Sequence, residues 1–227
     1  FTTYFENRIM ERVYGPQFAA MLADLGWDDL QAEIKSLGGL KAPDTRLRID
    51  LAGRNPDDGM TDIPYEKGST FLRTIESAVG LERWDAWLRG YFDRHAFQPQ
   101  TSAGFLADLR ANLIGNDAAL EKSLQLDRWI DEPGLPDNAV HVRSEVLGRI
   151  DAAAADFSAG KAIPTGVAQW STAERVRFLN RLPRSLPVAR LDALVKSLAL
   201  DTQRNSEVRF AWLRLAIANR HAPAVPQ

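Results

Sequence analysis

Residues 61–76 read TDIPYEKGSTFLRTIE, and they begin a helix in an unusual way. Asp62 is a candidate N-cap, and Pro64 suits a first helical turn, where its missing N–H leaves no bond unmade. Gly68 is less expected, because a glycine inside a helix costs roughly 1 kcal/mol relative to alanine. We therefore expect another backbone or a ligand to approach Gly68 closely, with Tyr65 pointing to the same place.

Apolar residues at helical spacing continue on both sides of this stretch, so the predicted fold class is all-α. Residues 47–51 alternate between apolar and polar and are expected to be extended, ending in the turn NPDDG. The predicted helices lie in residues 4–13, 18–25, 30–37, 64–79, 81–95, 102–113, 118–124, 126–130, 142–157, 171–182, 187–200 and 206–220. Thr101 is the expected cap of the helix over 102–113.

The stretch DEPGLPDNA, residues 131–139, contains two prolines and one glycine and predicts a linker over 133–139. It separates a first domain, residues 1–132, from a second, residues 140–227. The second domain has short helices of similar length, which favours antiparallel pairs stacked as an armadillo/HEAT-like α-solenoid. Ser171 and Glu174 have the spacing of a capping box at the start of one of these helices.

The composition is that of an ordinary globular protein, with 227 residues, 45% apolar and 26% charged. A net charge of −2 indicates neither a nucleic acid partner nor an anionic membrane surface. No apolar run is long enough to span a bilayer, so we expect a soluble protein, with the cytoplasm as the favoured compartment. The chain begins at Phe1 rather than Met, within a helical pattern, so we expect an N-terminal part of the natural protein to precede it.

Catalytic motifs are incomplete in this chain. It has no cysteine, no HExxH, no GxSxG and no P-loop, and its histidines, His95, His141 and His221, lack ligand spacing. A structural role is expected for each histidine, and no metal ligand is predicted. Tyr65 is the first candidate site residue, because a phenol in a first helical turn can donate a hydrogen bond to an oxyanion. A packed ring with a satisfied hydroxyl is the alternative.

Two carboxylates are further candidates. Asp57, in the turn before the Tyr65 helix, is a candidate for lining the same cleft, and a plain turn role is its alternative. Glu6 is a weaker candidate on the first helix, with a solvated helix face as its alternative.

Five ordered blocks carry a resemblance that covers nearly the whole chain: YFENRIMERVYG, LGWDDLQAEIKSLG, NPDDG followed by DIPYEKGSTFL, EPGLP, and NSEVRFAWLRLAI. Together they resemble the zinc aminopeptidases of peptidase family M1, the gluzincins of HExxH type. The similarity is greatest to the leukotriene A(4) hydrolase branch. The blocks around PYEKG and NSEVRFAWLRL are the most specific.

The resemblance implies that residues 1–132 are the C-terminal helical lobe of a thermolysin-like catalytic domain, followed by an armadillo-like domain that covers the cleft. The parent enzyme would bind Zn²⁺ and remove N-terminal residues from peptides. All zinc ligands would lie before Phe1, so that the chain alone is expected to bind no zinc and to be inactive. Tyr65 matches the tyrosine that stabilises the oxyanion, and Asp57 matches an aspartate that influences substrate choice.

The resemblance also places Glu6 one or two helical turns after the glutamate that is the third zinc ligand, where it would support the metal site. Met60 stands where the eicosanoid-processing relative has a second tyrosine, so leukotriene chemistry is not expected here. The exposed apolar face of residues 1–13 predicts possible self-association. The alternative function is a non-catalytic helical module that binds protein; in that case Gly68→Ala should be neutral or stabilising, whereas in the enzyme it should disturb the cleft.

Overall fold

The chain divides into two units, Phe1–Val142 and Arg143–Gln227, in the computed structural model, which describes residues 1–221 and 223. The described residues form helices, turns and irregular segments without a β-strand, so the all-α prediction is confirmed. The division between the units lies after the predicted linker. Residues 222 and 224–227 of the predicted second domain lie outside the described residues.

The helices of the first unit follow one another with short connections, apart from the long segment of residues 37–67 between the second and the third. They are α1 (Thr2–Tyr14), α2 (Pro16–Ser36), α3 (Gly68–Val79), α4 (Leu81–Arg94), α5 (Ser102–Leu109), α6 (Ala118–Leu124) and α7 (Leu126–Asp131). Gly15 and Gly80, with φ of 90° and 82°, separate α1 from α2 and α3 from α4. Thr101 caps α5, as predicted, by accepting a 3.1 Å hydrogen bond from the Gly104 amide.

One sequence prediction is wrong in the first unit. The patterns over 18–25 and 30–37 were expected to form separate helices, but they belong to the single helix α2. Gly26 lies in its middle, and a Cβ there would collide with the carboxylate of Glu66. The glycine therefore makes room for a side chain from elsewhere in the fold and does not end the helix.

The core of the first unit is rich in aromatic rings. Trp84 stacks on Trp87, whose ring stacks in turn on Tyr91, with centroid distances of 4.9 and 5.0 Å. Trp84 Nε1 donates a 2.6 Å hydrogen bond to the hydroxyl of Tyr4 on α1. A smaller cluster of Leu30, Ile34 and Ile63 buries the middle of α2 against the start of the α3 region. These contacts hold α1 and α2 against the segment that carries Tyr65.

The second unit has its own core. Its helices are α8 (Glu145–Ser158), α9 (Thr172–Arg181), α10 (Val188–Leu198) and α11 (Ser206–Ala218). Helix α9 packs against both α8 and α11. Ser171 and Glu174 form the predicted capping box at its start. Arg177 of α9 donates two 2.7 Å hydrogen bonds to Asp151 of α8. Within the described ranges, none of the helices is both long and apolar enough to cross a bilayer.

Candidate functional site

Tyr65 lies in a π-helical turn, Ile63–Lys67, that leads directly into α3. We call it the Tyr65 turn. Pro64 stands in its first positions, as predicted, but Asp62 does not cap it with its side chain. The Thr61 hydroxyl accepts a 3.3 Å hydrogen bond from the Ile63 amide instead. Ile63 is buried, and it anchors the first residue of the turn in the core.

The Tyr65 side chain points away from that core and is 48% exposed. Its hydroxyl makes no hydrogen bond to any other residue that the structure describes. The alternative of a packed ring with a satisfied hydroxyl therefore does not describe this residue. A phenol whose hydroxyl has no partner can donate a hydrogen bond to an acceptor on a bound molecule.

Glu66 packs its carboxylate against α2 at Gly26, where an added Cβ would require the carboxylate to shift. Burial raises the pKa of Glu66 to about 7, and the nearby carboxylates of Asp29, Asp62 and Glu6 add to the effect. Arg73 opposes the shift. The residue after Tyr65 is thus held against a neighbouring helix in a negatively charged environment.

Lys67 points the other way and is fully buried. Its Nζ donates hydrogen bonds to the backbone carbonyls of Thr45, at 2.8 Å, and Glu132, at 3.2 Å. Burial lowers its pKa to about 8, while the negative charge of Glu132 opposes the shift. Lys67 therefore joins the Tyr65 turn to two segments that are distant in sequence.

Gly134 completes this arrangement. Its amide donates a 2.8 Å hydrogen bond to Thr45 Oγ1, and the Thr45 hydroxyl donates to Ala42 O over 2.6 Å. Gly134 has a φ of 74°, and a Cβ there would lie 2.6 Å from the carbonyl oxygen of Leu40. The EPG residues of the predicted linker therefore pack within the first unit, beside the Tyr65 turn.

The structure treats the other two candidate residues differently. Glu6 is exposed on α1, yet close enough to Glu66 to influence its pKa, so it lies near the Tyr65 turn. Asp57 lies in the 3₁₀ turn Pro56–Gly59, where its amide donates a 3.1 Å hydrogen bond to Asn55 Oδ1. Its carboxylate is exposed and makes no hydrogen bond to Tyr65 or Glu6.

The expectation that another backbone approaches Gly68 is wrong, and a ligand beside it stays a prediction. Gly68 has ordinary helical angles, φ −63° and ψ −44°, and a Cβ there would touch only Leu47 Cδ2, at 3.9 Å. No backbone of the described chain approaches it. Gly26 of α2 does have a close neighbour from the Tyr65 turn, the carboxylate of Glu66. The apolar periodicity of the sequence gave no sign of this contact.

Each histidine pairs with an aspartate. The Nε2 atoms of His95, His141 and His221 lie 2.9, 2.8 and 2.9 Å from carboxylate oxygens of Asp108, Asp24 and Asp192. In the part of the chain that the structure describes, no group of three His, Asp or Glu side chains is arranged to hold a metal ion. These pairs link elements of the fold.

Family models match both parts of the chain. A model described as the peptidase family M1 domain matches residues 1–129, and one described as leukotriene A4 hydrolase, C-terminal, matches residues 170–227. Among curated proteins, leucine aminopeptidase 2 of Sclerotinia sclerotiorum is 28% identical over 96% of this chain and 36% of its own length. A leukotriene A-4 hydrolase homolog of Botryotinia fuckeliana is 28% identical over 96% of this chain and 34% of its own length. The chain thus spans about a third of these relatives.

Solved structures share the fold. Yeast LTA4 hydrolase in complex with bestatin matches with a TM-score of 0.83 and 22% identity, over 98% of this chain and 40% of the other. The native leukotriene A4 hydrolase of Saccharomyces cerevisiae matches with a TM-score of 0.75 and 23% identity, over 95% and 38%.

Proposed function

Since the chain belongs to peptidase family M1, we propose that it is the C-terminal part of a zinc metallo-aminopeptidase that removes N-terminal residues from peptides. Residues 1–132 would be the helical lobe of its catalytic domain, residues 133–139 a linker, and residues 140–227 an armadillo-like domain. The family match over residues 1–129 and the length of the relatives support this assignment.

The observation that carries the proposal is the half-exposed Tyr65, whose hydroxyl has no hydrogen-bond partner among the described residues. Peptide hydrolysis passes through a tetrahedral intermediate with a negatively charged oxygen. A phenol held in a fixed position donates a hydrogen bond to that oxygen and stabilises it more than the starting carbonyl. Glu66 and Lys67, the two residues that follow Tyr65, both contact other segments, which favours a fixed phenol.

Zinc, which the family implies, does not fit the residues of this chain. Its histidines are each committed to an aspartate, and the described residues contain no ligand set. We therefore derive no step through the metal, and assign to this chain only the oxyanion contact. The proposal includes that the 227-residue chain by itself binds no catalytic zinc and is inactive.

Supporting roles are proposed for two carboxylates. Asp57, whose carboxylate is exposed, is assigned to substrate binding, where it can attract a cationic group of the peptide. Glu6 is assigned to supporting the metal site from α1, near the Tyr65 turn.

The experiment compares Tyr65→Phe with the parent sequence in the full-length gene product, using leucine p-nitroanilide as substrate. We expect kcat/KM to fall by ~10²–10³, because a single oxyanion donor is lost. Tyr14→Phe, at another exposed tyrosine of the first unit, is the matched control and should leave the rate unchanged. An unchanged rate in Tyr65→Phe would exclude the catalytic role and favour a protein-binding module.

The inactivity of the chain alone has a separate test. Elemental analysis after dialysis against a weak chelator should find near zero zinc per chain. About one tightly held zinc per chain, or a hydrolysis rate that survives purification and is lost in Tyr65→Phe, would contradict it.

A further inference from the structure

We propose that Lys67 is the positioning residue of Tyr65: by binding the backbone carbonyls of Thr45 and Glu132, it fixes the turn that presents the phenol. The inference rests on the proposed function for what Tyr65 does, and on the geometry of Lys67 for how Tyr65 is held. Lys67 itself does not reach substrate, since its side chain is fully buried.

The two side chains lie two positions apart in one tight turn, so they point to different sides of it. Tyr65 faces outward and Lys67 faces the interior. A movement of the Lys67 backbone therefore moves Tyr65 with it. At the start of the turn, Asp62 makes no capping hydrogen bond, and the Ile63 amide bonds to the Thr61 hydroxyl over 3.3 Å.

The ties that Lys67 makes are specific in direction. Its Nζ reaches Thr45 O at 2.8 Å and Glu132 O at 3.2 Å, and no other donor is bound to either carbonyl in the described chain. Those two segments are themselves joined by the hydrogen bond from Gly134 N to Thr45 Oγ1, at 2.8 Å. Three separate stretches of sequence thus form one closed set of contacts behind the Tyr65 turn.

Stability alone gives no reason for a lysine at this position. Its ammonium is buried against neutral carbonyls without a carboxylate bound to it, and burial lowers its pKa. Glu132 is the charged group that faces it, and the Glu132 carboxylate bonds to Arg128 Nε, at 3.1 Å. An unbranched apolar side chain would fill the same space without the desolvation cost of the ammonium, but it would not bind the two carbonyls. The role of Lys67 is therefore to hold its own turn in place through hydrogen bonds to these two carbonyls.

The test uses a double-mutant cycle in the full-length gene product, with Lys67→Met, Tyr65→Phe and the combination. We expect Lys67→Met to lower kcat by ~10- to 100-fold with little change in KM, because a misplaced donor loses transition-state contact. In the Tyr65→Phe background the same substitution should have almost no further effect. An equal loss of kcat in both backgrounds, or an unchanged kcat in Lys67→Met, would overturn the proposal. Lys122→Met, at an exposed lysine, is the control.

A second readout does not depend on catalysis. In the 227-residue chain labelled with ¹³C in its tyrosine rings, the Tyr65 resonance is assigned by its loss in Tyr65→Phe. Lys67→Met should shift and broaden it, while the resonance of Tyr14 stays in place. An unchanged Tyr65 resonance would overturn the positioning role even if Tyr65 is catalytic, whereas failure of Tyr65→Phe to lower the rate would count against the proposed function alone. If near-UV circular dichroism shows that Lys67→Met does not fold, Lys67→Leu, which also lacks a donor, replaces it in both experiments.

Discussion

The amide of Gly134 donates a 2.8 Å hydrogen bond to the hydroxyl of Thr45, and this bond joins the EPG segment to the loop that also binds Lys67. The bond requires a close approach of two backbones, because Leu40 O stands where a Cβ of residue 134 would lie. The EPGLP block and the PYEKG block, which resemble the same family, are thus in contact through Thr45 and Lys67.

Gly134→Ala should destabilise the first unit by about 2 kcal/mol or more. Its φ of 74° is unfavourable for alanine, and the added Cβ would lie 2.6 Å from a backbone oxygen that cannot move freely. The measurement is urea unfolding of the 227-residue chain. Gly68→Ala is the matched control, and we expect it to be neutral or to stabilise by up to about 1 kcal/mol, since helical angles and open space surround that position. This outcome is expected for an enzyme and for a protein-binding module alike, so the stability of Gly68→Ala does not distinguish them. Equal effects of the two substitutions would contradict this reading of the glycines.

Glu66→Gln should stabilise the first unit at pH 8 by about 1–2 kcal/mol, an amount reduced for the partial exposure of Glu66. The folded state raises the pKa of Glu66 from 4.5 to about 7, so the folded state binds the proton more tightly than the unfolded state. The contribution of Glu66 to stability is therefore present below pH 4.5 and is lost as the pH rises through 7. Unfolding curves at pH 5 and pH 8 should show the gain of Glu66→Gln chiefly at pH 8, and Glu11→Gln, at an exposed position, should show no such difference.

For Lys67, we expect stability to change with pH in the opposite direction from Glu66 and at higher pH. Its pKa falls from 10.5 to about 8 on folding, so above pH 8 the unfolded state binds more protons than the folded state. Stability should therefore rise with pH between 8 and 10.5, by up to about 3 kcal/mol. The rise is measured as the difference between the parent chain and Lys67→Met across this range. A constant difference would mean that Lys67 keeps its proton in the folded state.

Local signals in the sequence were read correctly. The Thr101 cap and the Ser171–Glu174 capping box form as predicted, because each involves residues within one helical turn. The position of Pro64 in the Tyr65 turn is likewise local.

Features that depend on residues distant in sequence were not predicted correctly. The patterns over 18–25 and 30–37 predicted two helices, but they form the single helix α2, in which Gly26 makes space for Glu66. Aspartate is a typical capping residue, but the Thr61 hydroxyl, not Asp62, accepts the hydrogen bond from the Ile63 amide. Lys67 carries a side chain that is normally exposed, and no local pattern marks it as buried, because both of its acceptors are backbone atoms of other segments. The sequence singled out the PYEKG stretch as an unusual helix start, but it did not reveal the buried contacts of Lys67.

Ser171→Ala should destabilise the second unit by about 1 kcal/mol. The hydroxyl of Ser171 accepts from the Glu174 amide at 3.3 Å, and the Glu174 carboxylate accepts from the Ser171 amide at 2.7 Å. Removing the hydroxyl leaves a helix N–H without its partner at the start of α9, the helix that packs on both α8 and α11. Thermal unfolding should show the loss, while Ser158→Ala, whose hydroxyl bonds back to Ala154 O within α8, should be close to neutral.

The 227-residue chain should self-associate through the face of α1, and Ile9→Lys should weaken that association by about tenfold or more. Ile9 and Val13 are 58% and 63% exposed, and Ile9 lines a groove of about 1070 Å³ between α1 and α4 together with Phe5 and Phe92. Arg12, Arg89, Glu11 and Asp93 place both signs of charge along this groove, so a second copy related by a two-fold axis can pair unlike charges across it.

Sedimentation velocity over a range of concentrations measures the dimer, with Val188→Lys in the second unit as the control at a similarly exposed apolar position. A chain that stays monomeric at every concentration would refute the prediction, and equal weakening by both substitutions would place the contact elsewhere.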